Sequence, residues 1–525
     1  MKSHRVLLVY SRISGPDAMP WIPIGLLYIA AVLEQHNIEV MIYDRNKKHE
    51  LSLFDLIESY RPDMIGIGAM TVQAEDALQL SAEIKANYPD VIVCLGGVHF
   101  TFKSEEGLIK GNADIVVLGE GEYAMRDLCL GKPLDSIPGL VFKDLTGKIT
   151  RSPDRKFIKE LDDLPLPAYH LIDVMSYDDH LITGEKAISL LTGRGCPMTC
   201  TFCASPELWQ RRIRLNSISY TIKHIQFLVA RYGVKNIRIM DDTFTVSRRR
   251  VLEFCELVKP MGLNMTCLTN VRNSDFEMLK KMRESGFSIV AYGIECANQH
   301  VLDNVSKGIT LSRAINAIKN AQKAGLLVEL LFMIGNVTET EETIIDSIEF
   351  SRKYNPEGKN WFQFSTPFPG SAFSVNVAEY GQIISWNLND WDHQRPVFIP
   401  YGLNEEVMIG LRHLALNGGN LIRDIDKEKV FVFGTGGYFE QYKGEIFSKY
   451  HVLSYLDNAV DKQGKLIYGK RIESPDTIAM SKAIKVIIAS TYKDEIAKQL
   501  MKIGVARRNI YYAAASGICP VYLAS

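Results

Sequence analysis

Three of the nine cysteines in this 525-residue sequence fall within eight residues, Cys196, Cys200 and Cys203 of LTGRGCPMTCTFCAS. Thiolates are the protein ligands of zinc and of iron–sulfur clusters. A closed structural zinc site takes four ligands, usually as two short pairs, whereas here there are three, with His180 the nearest histidine upstream. On the count alone, zinc and simple packing stay open. The spacing says more: C-x3-C-x2-C lets one short loop wrap three corners of a cubane [4Fe-4S] cluster, leaving the fourth iron open to a substrate or cofactor. An open metal position is what catalysis uses.

Other residues capable of chemistry end short apolar runs. MDDTF carries Asp241 and Asp242, LTNVR carries Arg272, and YGIE carries Glu295. Upstream, Thr71, GGVH (Gly96, Gly97, Val98, His99) and GEGE (Gly119, Glu120, Gly121 and the residue after them) stand at the same kind of position. Charged residues at strand ends also serve as caps or ion pairs, and glycines also simply turn the chain. For Asp241, Asp242 and Arg272 both readings stand. In VFVFGTGGYFE, Gly434 and Gly436 follow a strand, and Asp457 ends the next strand 23 residues after Gly434. That outlines a dinucleotide fingerprint with its third glycine replaced by Phe439. A scaffold or substrate-holding role competes with nucleotide binding there.

The elements that must position these groups alternate short apolar runs with amphipathic helical patterns. RVLLVY, IEVMIYD, DMIGIGAM, VIVCLGG and ADIVVLGEGE read as five strands of a doubly wound parallel sheet, whose ligands sit over the carboxyl ends. GLVFKDLTGKIT reads as a hairpin around Thr146-Gly147, followed by a proline-bearing connector. AISLLTG, KNIRIMDD, MTCLTN, SIVAYGIE, LLVELLFMIG and WFQFSTPF suit a partial (β/α)6 barrel, with the cysteines after its first strand, at the functional rim. An irregular, aromatic-rich connector follows, then a small Rossmann-like α/β series. The expected division is a domain over 1–135, hairpin and linker over 136–185, the barrel over 186–370, a linker over 371–427 and a last domain over 428–525.

The net charge is −1, with 46% apolar and 23% charged residues, values without electrostatic bias towards nucleic acid or a membrane surface. No run approaches the ~20 apolar residues of a membrane span. The six remaining cysteines are scattered, which argues against a disulfide framework and for a reducing, cytoplasmic setting.

CPMTCTFC, with Phe202 before the last cysteine, resembles the defining motif of the radical S-adenosylmethionine (SAM) superfamily. The resemblance implies that the open iron chelates SAM, whose reductive cleavage yields a 5'-deoxyadenosyl radical. It places Asp241 and Asp242 near the cofactor's amino group and Glu295 near its ribose, with Phe202 and Arg272 among the contacts. FMIGNVTETEE departs from the pattern, since many relatives carry proline after its glycine. TPFPGS resembles the segment closing the barrel in the cobalamin-binding subgroup. IPIGLLYIAAVLE, LGGVHFTF and VLGEGEYAMRDL resemble that subgroup's cobalamin-binding domain, which implies cobalamin contacts by Thr71, Gly96, Gly97, Val98, His99, Gly119, Glu120 and Gly121. The cobalt-ligating motif D-x-H-x-x-G is absent, so His99 is expected at the corrin edge or in packing.

The implied activity is methylation of an unactivated carbon of a natural-product, sugar or nucleotide-linked small molecule, with an electron donor such as flavodoxin or ferredoxin as partner. Oxidative cyclisation or ring rearrangement without methyl transfer is the alternative, and a corrinoid-binding or redox-sensing protein with a structural cluster the non-catalytic one. A methylthiolase of transfer RNA is disfavoured, because only Cys94 and Cys129 precede the loop.

Overall fold

The computed structural model describes residues 4–13, 21–144, 146–177, 186–417, 427–468, 470–480, 484–514 and 517–521; His180 lies outside them. Strands β1 (Arg5–Tyr10), β2 (Glu39–Asp44), β3 (Met64–Gly68), β4 (Ile92–Gly96) and β5 (Ile115–Val117) are parallel and ordered 2-1-3-4-5. Val6, Leu7, Leu8 and Val9 are all buried, the unbroken apolar pattern of a strand covered on both faces. The strand order reverses at β1, which opens a crevice at the carboxyl ends beside β3.

The hairpin assigned from sequence to the linker belongs instead to this sheet. β6 (Leu140–Lys143) pairs antiparallel with β5, and β7 (Ile149–Arg151) with β6. Burial of Leu140, Val141 and Phe142 explains the placement, since β5 would otherwise be an open apolar edge.

In the central domain β8 (Ile188–Leu190) is followed by a two-strand ribbon, β9 (Gly193–Arg194) against β10 (Arg214–Leu215), with the cysteine loop between its strands. β11 (Asn236–Ile239), β12 (Asn264–Thr269), β13 (Phe287–Glu295), β14 (Leu327–Ile334) and β15 (Lys359–Phe364) complete a six-stranded parallel sheet ordered 15-14-13-12-11-8. β8 and β15 are its two edges, so the barrel is open. The intervening helices follow local rules. Ile218–Tyr232 starts where Ser217 Oγ accepts the Tyr220 N–H (3.0 Å), buries Ile225 and Leu228, and ends at Gly233 in the left-handed region.

The connector after the barrel is more regular than its composition indicates. It holds an antiparallel pair, β16 (Gly381–Ile383) and β17 (Phe398–Pro400), and a helix, Glu405–Asn417. That helix buries Met408, Leu411 and Leu414 in the barrel core, an i, i+3 pattern that marks an amphipathic helix. The last domain orders β18 (Glu428–Phe433), β19 (Tyr450–Leu456), β20 (Leu466–Ile467), β21 (Lys470–Glu473), β22 (Lys485–Ile488), β23 (Ile510–Ala514) and β24 (Gly517–Pro520) as 20-21-19-18-22-23-24. β20 and β24 are antiparallel edges too short for a periodic signal. Among the described residues no helix is long and apolar enough to cross a membrane.

Candidate active site

The cysteine loop is held at its base. Gly195 has φ +98°, and a Cβ there would overlap the Arg212 carbonyl oxygen, so only glycine closes the ribbon at this point. Asp241 accepts the Thr192 N–H (2.6 Å) and hydroxyl (2.5 Å), and Arg250 Nη2 donates to the Thr192 and Asn216 carbonyls (3.0 and 3.2 Å). Burial pushes the Asp241 carboxyl up to about 6, against the pull of these donors. Asp241 thus fastens the β8 turn. Its neighbour Asp242 points the other way, into the cavity, with one oxygen 3.2 Å from the donating Ser205 hydroxyl.

The far side of the loop is fixed by backbone. Thr201 N–H donates to Val305 O (3.0 Å), and Phe373 N–H to Thr201 O (2.8 Å). Phe202 packs against Val305, Val337, Phe373 and Phe398, and Lys307 Nζ stands 5.8 Å from its ring centre. Burial raises all three thiols, Cys200 up to about 11, and Lys307 pulls each of them down. The thiols also raise one another, which places them within electrostatic reach. Among the described residues no three Cys, His, Asp or Glu side chains gather to hold a single metal ion. A cubane needs no such convergence, because its thiolates bond different irons. Three thiols on one loop beside a buried cation therefore fit a cluster.

Lys307 was missed in the sequence. It donates to Glu295 Oε1 at 2.6 Å with both side chains about one-tenth exposed. Burial works against its charge, yet Glu295 and Cys200 hold the ammonium above its usual range. Its only sequence signal was the turn VSKGIT, which carries no periodicity. Glu295 itself has φ +69° at the end of β13. Arg272 donates Nε to Gly308 O (2.9 Å), so it ties the β12 turn to the segment carrying Lys307.

A cavity of about 660 Å³ runs between the N-terminal sheet and the cysteine loop. Gly96, Gly97, Val98, Gly119, Glu120 and Gly121 line it on one side, and Cys203, Ser205 and Asp242 on the other. Gly97 has φ +99°, and a Cβ there would overlap Ala69 O and lie 2.9 Å from Ala69 N. At Gly97 the backbone itself forms the wall because no side chain fits there, which suits the approach of a broad, flat macrocycle. Thr71 and His99 do not line the cavity. His99 is 1% exposed, with Nδ1 3.3 Å from Thr71 Oγ1 and Nε2 3.5 Å from Glu106, so it is packed within the sheet domain. Phe202, Asp241, Arg272 and Glu295 lie outside this cavity's lining as well. Glu120 borders it, but its carboxylate is engaged by Arg194, Arg214 and the Ile158 N–H.

In the last domain Gly434 has φ +103° at the end of β18, and Gly436 precedes the helix Gly437–Lys449. Asp457 accepts the Thr435 hydroxyl (2.6 Å) and Lys462 (3.0 Å), so its carboxylate is engaged within the protein.

The doubly wound sheet facing a thiol loop on an open barrel defines a two-cofactor enzyme class, and comparison with known proteins identifies it. Residues 16–129 match the B12 binding domain model, 190–351 the radical SAM superfamily and 426–511 the family described as C2185-like, N-terminal. An uncharacterized methyltransferase of Pyrococcus horikoshii is 32% identical over 452 residues, covering 82% of this chain and 97% of the relative. Anaerobic magnesium-protoporphyrin IX monomethyl ester cyclase of Rubrivivax gelatinosus is 27% identical, covering 78% and 76%. Cytidylyl-2-hydroxyethylphosphonate methyltransferase of Streptomyces wedmorensis is 28% identical, covering 66% and 76%. The fold matches the radical SAM methyltransferase TsrM from Kitasatospora setae (TM-score 0.58, 18% identity, 72% of this chain and 76% of that one). It also matches the cobalamin-dependent SAM radical enzyme OxsB (TM-score 0.63, 17% identity, 78% and 65%). The chain belongs to the cobalamin-dependent radical SAM methyltransferase family.

Proposed function

We propose that this enzyme methylates an unactivated carbon of a small molecule of natural-product, sugar or nucleotide-linked type. The observation that carries the reading is the single cavity bordered by the glycine loops on one wall and by Cys203 and Asp242 on the other. When bound, the two cofactors supply hydrogen-atom abstraction and a transferable methyl group. Cys196, Cys200 and Cys203 would hold the cluster. Lys307, fixed by Glu295, would offset its negative charge, and Asp242 would accept hydrogen bonds from SAM. The backbone at Gly96–Val98 and Gly119–Gly121 would border the corrin. The apolar wall from Leu26, Ile29 and Met125 excludes water from the space between. The C-terminal domain takes a scaffold or substrate-holding role, consistent with the committed Asp457.

The test is anaerobic reconstitution with iron, sulfide and cobalamin, reduction through flavodoxin or ferredoxin, and incubation with methyl-labelled SAM and cell extract. Labelled product with both S-adenosylhomocysteine and 5'-deoxyadenosine is expected. The 27% identity to a cyclase favours oxidative ring closure as the second reading. Deoxyadenosine without S-adenosylhomocysteine would sink methylation in its favour.

A further inference from the structure

Two loops far apart in sequence meet at the cavity, and their contact is ionic. Arg194, on β9, stands two residues before Cys196, while Glu120 and Glu122 follow β5 in the N-terminal sheet. The Arg194 guanidinium bridges both acids, 2.6 Å from Glu120 Oε1 and 2.6 Å from Glu122 Oε1. Arg214, its cross-strand partner on β10, lies 2.9 Å from each Glu120 oxygen and donates to Ile158 O at 2.7 Å. All four side chains are at most 12% exposed. Although burial works against its charge, Glu122 and Glu120 hold Arg194 above its ordinary range. The guanidinium planes are also held by rings, Arg194 by Tyr28 and Arg214 by Phe157 and Trp209.

Buried ion pairs gain little net stability, because desolvation offsets the attraction, and apolar replacements are often neutral or better. This network is also incompletely satisfied, since Glu122 Oε2 and Arg214 Nε and Nη2 have no hydrogen-bond partner. What a planar, two-pronged arginine adds is geometry. Here it pins both strands of the cysteine ribbon to the loop bordering the opposite wall of the cavity.

We propose that Arg194, Arg214, Glu120 and Glu122 form a positioning clamp that sets the separation between the cluster loop and the corrin-bordering loops. The inference rests on the proposed two-cofactor reading. A substrate carbon that meets both reactive centres in turn has to fit the gap between them, and a misplacement of about 1 Å costs on the order of 10²-fold in rate. None of the four side chains needs to touch a reacting atom, so they are positioning residues.

The test measures the separation itself. Full-length protein is reconstituted with iron, sulfide and cob(II)alamin and reduced anaerobically. The dipolar interaction between cob(II)alamin and the reduced cluster, both paramagnetic, is then read by electron paramagnetic resonance. Wild-type protein is expected to give one narrow interaction. Arg194→Gln should weaken or broaden it, matching a shift of about 1 Å or more. Glu122→Gln should do so less, and Arg194→Lys should restore part of it, because an ammonium reaches one acid but not both. If Arg194→Gln does not fold, the other two variants carry the comparison, each checked by circular dichroism. An interaction unchanged in every folded variant overturns the clamp and leaves the functional reading standing. Absence of either signal from the wild type overturns both.

Discussion

Replacing Gly97 by alanine separates a close-packed backbone wall from an ordinary turn. Its backbone, φ +99° and ψ −179°, lies in a region that is essentially glycine-only and costs another residue about 1–3 kcal/mol. The new methyl would also overlap Ala69 O and press on Ala69 N, which donates to Gly96 O at 3.0 Å. Displacing that bond adds about 1 kcal/mol, for a total of about 2–4 kcal/mol. Both strand ends border the cavity, so if about 1.4 kcal/mol of this appears in binding, hydroxocobalamin affinity falls about tenfold. Gly119→Ala is the control. It also has positive φ, +66°, but nothing within 4 Å of the new methyl, so it should cost only about 1–2 kcal/mol of stability. Urea unfolding and visible-absorption titration with hydroxocobalamin read both quantities. Equal losses in the two variants would refute the argument that close approach, rather than backbone angle alone, dictates Gly97.

Alanine at Cys196, Cys200 or Cys203 should abolish the cluster's broad visible absorbance and SAM cleavage while leaving hydroxocobalamin binding close to wild type. Lys307→Met leaves Glu295 charged and buried without its partner. A loss of about 3–5 kcal/mol is expected by denaturation, largely recovered in Lys307→Met/Glu295→Gln. Glu339, 1% exposed, accepts the Gly335 and Asn336 N–H groups, yet burial pushes its carboxyl from 4.5 up to about 7. The folded state therefore holds its proton more tightly than the unfolded one. Its contribution is fully present below pH 4.5 and is lost as pH rises to about 7, on the order of 3 kcal/mol. Glu339→Gln should flatten urea stability over that window, and an unchanged slope would assign the titration elsewhere.

Much of the architecture was legible because it is local. Runs such as RVLLVY and KVFVFG are strand-length and continuous, and helices between them carry caps such as Ser217 and Gly233, so α/β alternation and parallel pairing follow from neighbouring residues. The cysteine loop was legible for the same reason, since one short segment supplies all three thiols. Hairpin β6–β7 was seen but assigned to the linker, because nothing within it says which sheet edge it covers.

What only the tertiary structure decided are the roles of individual side chains. Asp241 and Asp242 are adjacent and chemically identical, and burial against Thr192 makes one a fastener while the other faces the cavity. His99 follows two glycines that line the cavity, yet packs against Thr71 and Glu106. Lys307 reaches Glu295 from 12 residues away, and Arg194 reaches Glu122 from 72. Sequence determines which groups a chain owns and the local turns that carry them. Which groups share a dry pocket depends on contacts between distant segments, and those exist only once the two sheets have closed on one another.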